Sequence, residues 1–136
     1  MSVAEPLRRR ARTLQVVFLL VQARALIAWV PFTRWRRRLG LAGEAGAGCL
    51  GTARQLAAHV ERGAWRLGLP VKCLPRAMAL SWLLRRRGIA HRLIVAVRPQ
   101  AEREGAADAL HAWVECGGET VLGALEGPWI VVLDLP

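Results

Sequence analysis

Cys73 and His111 are the two residues whose types and spacing could do covalent chemistry in this chain. Cys73 opens the stretch Cys-Leu-Pro-Arg-Ala-Met-Ala-Leu at 73–80, and His111 opens His-Ala-Trp-Val-Glu at 111–115. The first reads as the start of a buried helix, the second as a buried strand. A cysteine attacks as its thiolate, which the partial positive charge at a helix N-terminus favours. A facing imidazole then serves as base toward the thiol and as acid toward a leaving amine. Backbone N–H groups at the helix start, that of Cys73 included, would stabilise an oxyanion. The bland reading is a small buried hydrophobe for the cysteine and a satisfied core residue for the histidine.

A zinc site would need Cys73, Cys116, His91 and His111 to converge, and no two of them have the short spacing of structural ligands. No metal and no cofactor are therefore expected. Cys116, beside a Gly-Gly turn, reads as incidental, and Cys49 as small-residue packing in a Gly/Ala-rich stretch.

The elements that position the pair follow in order. Pro6 suits the first turn of a helix over residues 6–30 that Pro31 stops. Residues 32–39 read as a short basic helix ended by Gly40, and 40–51 as a loop. Thr52-Ala-Arg-Gln55 has the capping-box pattern and predicts a helix start there, running to about Leu67 with Gly68 as cap. Leu56, Val60, Ala64 and Leu67 share its inner face. Pro75 is tolerated only in a first helical turn, so the next helix must begin near Cys73. That helix is apolar nearly all round up to Arg85–Arg87, which predicts burial in the middle of the fold. Residues 91–97 read as a strand and 100–108 as a polar loop. Leu110 to Glu115 and Thr120 to Leu122 read as a hairpin about Gly117-Gly118, and 129–133 as a last strand. Helices first and an antiparallel sheet afterwards give an α+β fold.

At 136 residues, 54 % of them hydrophobic and six of them Trp, the chain can bury one core. Its net charge of +10 is uneven. Residues 1–40 carry nine arginines against Glu5, which points to an acidic partner or a membrane surface. No aromatic platform accompanies the arginines, so nucleic acid is not expected. Leu14 to Val30 is apolar enough to raise a transmembrane or signal reading, but Gln15, Gln22 and Arg24 interrupt it. An amphipathic or core helix is favoured. Three cysteines without a pairing rhythm fit a reducing cytoplasm.

Three blocks in order, Cys73 to Leu80, Leu-Leu-Arg-Arg-Arg-Gly-Ile at 83–89, and His111 to Glu115, resemble the protease half of the lasso-peptide B proteins. These are transglutaminase-like cysteine peptidases that remove the leader from a ribosomally made precursor. The resemblance covers about residues 52–123 and implies a papain-like or transglutaminase-like core over 52–136. Residues 1–51 would precede it as basic, hydrophobic helices and a Gly-Ala loop, within one compact domain. It further implies Cys73 as nucleophile and His111 as general base.

The family often carries an Asp about a dozen residues after the histidine; here that place is Gly123. If Gly117-Gly118 is a two-residue turn, residue 111 pairs with 124. Glu126 then points to the face of His111. Glu126 is the first candidate to orient the imidazole, Glu115 the second and Asp108 the third; a backbone carbonyl, or a dyad with no orienting group, stays open. The implied partners are the precursor peptide, a small leader-recognition protein and an ATP-dependent lasso cyclase, with membrane-surface contact through the N-terminal helices as an option. The alternatives are a non-catalytic transglutaminase-like module that binds a peptide or protein, favoured by Gly123, and a chain anchored by a spanning first helix.

Overall fold

The computed structural model describes residues 4–44, 46, 48–68, 72–100 and 109–136. Four α-helices, α1 (Ala4–Trp29), α2 (Phe32–Trp35), α3 (Cys49–Arg66) and α4 (Cys73–Arg86), precede four strands. A 3-10 turn (Arg36–Arg38) follows α2. The strands β1 (Arg92–Val97), β2 (Leu110–Cys116), β3 (Glu119–Leu122) and β4 (Ile130–Leu135) form one antiparallel sheet in the order β3-β2-β1-β4. The expected α+β class is what forms, with the helices grouped on the sheet.

α4 is the centre of the molecule. Ala77 to Ser81, Leu83 and Leu84 are buried, and the helix packs on β2, β1, α1 and α3. Its lack of a polar face is thus used in full. α1 lays Val16, Leu19, Leu20 and Ala23 into the same core as α3 and α4. Gly63 on α3 makes that contact close, because Val16 Cγ1 fills the space where a Cβ would stand. Gly63→Ala should therefore cost roughly 1–3 kcal/mol by overpacking, read from the melting midpoint.

α3 begins three residues before the Thr52–Gln55 box. Gly48 takes a left-handed conformation (φ 84°) and serves as N-cap, and the Cys49 N–H donates to the Gly46 carbonyl at 3.1 Å. Cys49 packs partly against the core. Partial burial of Cys49 accompanies the extension of the helix past the local capping signal.

Among the described residues, the one buried polar cluster ties the loop after the basic turn to α4 and the sheet. His91 is 3 % exposed and Ser81 fully buried. The Gly40 N–H donates to Ser81 Oγ at 2.8 Å, and Ser81 Oγ lies 2.6 Å from His91 Nε2. His91 Nδ1 lies 2.8 Å from the Ile89 carbonyl, which can only accept, so Nδ1 carries the proton and Nε2 accepts from the hydroxyl. Leu41 and His91 exchange two backbone bonds, and Arg85 donates to the Gly40 carbonyl. Ser81→Ala strands a buried N–H and a buried ring nitrogen and should cost about 1–3 kcal/mol.

Burial pushes His91 below its ordinary 6.5, outweighing the Ile89 hydrogen bond. His59, 3.4 Å from Arg12, is lowered by burial first and by Arg12 next. In both cases the unfolded chain takes up the proton first. Stability is therefore complete above pH 6.5 and falls as the pH drops below it. Thermal melts at neutral and mildly acidic pH should show that fall, and His91→Gln should flatten it.

Candidate active site

Cys73 is the first residue of α4, after Lys72 in extended conformation (ψ 170°). Pro75, third in the helix, lacks only an N–H that would have no intrahelical acceptor there. His111 is the second residue of β2, against which α4 packs. Both side chains line one groove of about 830 Å³. Its walls are Arg24 and Ile27 of α1, the first turn of α4, the start of β2, and Leu122, Gly123 and Leu125. The first turn of α4, with Lys72 as N-cap, leaves the N–H groups of Cys73 and Leu74 without intrahelical acceptors. Charges at the groove are Arg24, Lys72 and Arg76 against Glu61, with Arg76 paired to Glu61 at 2.9 Å and its Nε lacking a hydrogen-bond partner.

The other thiols are elsewhere. Cys49 also opens a helix but does not line this groove. Cys116 is buried, its Sγ 3.5 Å from the Ala90 carbonyl, and desolvation pushes its thiol up. His91 is held in the Ser81 cluster, so of the four zinc candidates only Cys73 and His111 share the groove. Among the described residues no three His, Cys, Asp or Glu side chains are grouped to hold a metal.

His111 Nε2 lies 2.5 Å from the carbonyl oxygen of Gly123. A carbonyl cannot donate, so Nε2 carries the proton and Nδ1 is left as the basic nitrogen. The backbone that aims this carbonyl needs glycine. Gly123 has φ +82°, and a Cβ there would stand 2.8 Å from the Ala112 oxygen and 3.2 Å from Trp113 Cβ. The imidazole is also stacked on Trp129 (centroids 5.4 Å, 27°) and more loosely on Trp113 (6.1 Å, 28°). The Arg98 guanidinium lies over the Trp129 ring, 4.5 Å from its centroid.

Neither Glu115 nor Glu126 is a hydrogen-bond partner of His111 among the described residues. The hairpin turns at Gly117-Gly118 as read, with Cys116 opposite Glu119 and Glu115 opposite Thr120. A bulge then shifts the register, Val114 faces Leu122, and β3 ends there. The 111–124 pairing is consequently not formed, and the alternation that put Glu126 on the His111 face no longer applies. Glu126 is exposed and lines a neighbouring groove with Trp113, Glu115 and Trp129. Glu115 accepts the Trp113 indole N–H at 3.0 Å. Asp108, like most of the expected 100–108 loop, lies outside the described residues. Trp129, expected in the last strand, lies just before β4, and its separation from His111 in sequence hides the stacking.

A helix-borne thiol and a strand-borne imidazole open on one groove of an α+β fold, an arrangement with the chemical parts for cysteine-dependent acyl transfer. The family model of the transglutaminase-like superfamily matches residues 17–129, and the chain belongs to that superfamily. The superfamily includes cysteine peptidases and transglutaminases. No curated protein and no solved structure matches the chain.

Proposed function

We propose that this chain is a cysteine peptidase that removes the leader from a ribosomally made lasso precursor peptide before macrocyclisation. The observation that carries the reading is the groove shared by Cys73 and His111 in a transglutaminase-like chain. The narrower substrate class rests on the likeness of residues 73–80, 83–89 and 111–115 to the lasso-peptide B proteins.

His111 Nδ1 takes the Cys73 proton, and the sulfur attacks the carbonyl that joins leader to core. The oxyanion is met by the free N–H groups that begin α4. As the C–N bond breaks, the imidazolium returns its proton to the departing amine of the core. The leader remains as a thioester on Cys73. Water, deprotonated by His111, then attacks the thioester, releasing the leader's carboxylate and the thiol. The Gly123 carbonyl fixes the tautomer of the ring, and we assign it the orienting role in place of Glu126, Glu115 or Asp108. A small leader-recognition protein would present the leader, and the core would pass to an ATP-dependent lasso cyclase in the cytoplasm.

The test mixes the full chain with a precursor peptide and the leader-recognition protein, and follows the products by mass spectrometry. Two fragments whose masses sum to precursor plus one water are expected. A precursor that stays intact, with the cyclase and ATP also present, would overturn the reading. That outcome would favour the second reading, a module that binds the peptide without cutting it. The feature behind the second reading is that His111 Nε2 meets a neutral carbonyl and not a carboxylate.

A further inference from the structure

We infer that the outward face of α1 docks on an anionic lipid bilayer surface, independently of what reacts at Cys73. α1 has two apolar stripes where a helix on a protein surface needs one. Val16, Leu19, Leu20 and Ala23 face the core. Leu7, Leu14, Phe18 and Val21, seven, four and three residues apart, lie on the opposite side of the helix. They are exposed, Leu14 at 69 % and Phe18 at 66 %. The helix is long and apolar enough to cross a membrane, but its inner stripe is committed to α3 and α4. It therefore lies along a surface with its outer stripe immersed, as interfacial helices do.

Charge decides what that surface is. Beside the outer stripe, α1 and α3 enclose a groove of about 750 Å³ with Leu14 and Val17 in it and Arg9, Arg10, Arg62 and Arg66 around it. None of the four arginines is in an ion pair among the described residues. Guanidinium groups around an apolar floor match a phosphodiester headgroup with acyl chain beneath it. Trp29 at the C-terminal end of α1 and Trp65 on α3 are 82 % and 81 % exposed. Indoles are favoured where one side of the ring is apolar and the other wet, as at headgroup level.

Vesicles of phosphatidylglycerol and phosphatidylcholine in equal parts should pellet the full chain, while pure phosphatidylcholine vesicles should not, and added salt should release it. Arg62→Glu with Arg66→Glu, and separately Leu14→Ser with Phe18→Ser, should each lower the partition coefficient by about tenfold or more. All four positions are exposed or lie outside the core, so circular dichroism and the melting midpoint should match the parent's. No binding to the mixed vesicles, or binding unchanged in both variants, overturns the inference. Binding of polyglutamate with the same arginine dependence and no vesicle binding assigns the face to an acidic protein instead. Release by inorganic phosphate beyond that by chloride of equal ionic strength reduces the groove to a free-phosphate site. Precursor cleavage in solution is a separate readout, and its loss or retention leaves the vesicle result standing.

Discussion

Cys73→Ala is expected to lower precursor cleavage a thousandfold or more, on the order of what removing a nucleophile costs hydrolases of this kind. The fold should persist. Cys73 is half-buried at the first position of α4, where it supplies no capping side chain, so the change in stability should stay near 1 kcal/mol or below. His111→Ala removes the base of the proposed reaction and should cost about 10²–10⁴ in kcat, again with the sheet intact, since its neighbours in β2 carry the buried face. Alkylation separates chemistry from folding. In the parent, reagent should reach Cys73 in its open groove well before buried Cys116, whose thiol desolvation pushes up. Loss of that preference in His111→Ala would tie the thiol to the imidazole. Undiminished cleavage by Cys73→Ala would remove it from the reaction altogether.

Gly123→Ala is expected to damage the site without touching either reactive group. Its φ of +82° is strained for any side chain, and the added Cβ meets the Ala112 oxygen at 2.8 Å. Relief must swing the 123 carbonyl, Ala112 or Trp113, and all three hold or neighbour His111. The backbone strain should cost roughly 1–3 kcal/mol of stability. Misplacing the ring by about an ångström should cost on the order of a hundredfold in turnover. The loss should fall on kcat more than on KM, since the groove walls from α1 and α4 are unaffected. Gly123→Asp, which restores the carboxylate often seen at this place in the lasso-peptide B proteins, meets the same obstruction and should be no better. A Gly123→Asp variant as active as the parent would show that a carboxylate can replace the carbonyl, and would refute the positioning role given to the backbone here.

The sequence by itself determined the helix–sheet order, the start of α4 at Cys73, the turn at Gly117-Gly118 and the placing of Cys73 on a helix and His111 on a strand. Each is a local property: Pro75 admits only a first-turn position, paired glycines admit the hairpin's positive φ values, and apolar period separates helix from strand. The partner of the imidazole was not legible. It depends on a bulge at Val114/Glu115 and on the exit of the chain from the sheet after Leu122. One residue of slip turns every later side chain to the other face, so Glu126 moved out of line and the Gly123 carbonyl came in. The stacking of Trp129 on His111 likewise joins residues eighteen apart in number across an irregular segment. The double face of α1 belongs to both levels. The sequence displayed an apolar helix among arginines, but only packing against α3 and α4 showed which stripe is covered and which is left for a surface. Hydrophobic pattern states that a face must be buried; tertiary structure alone states by what.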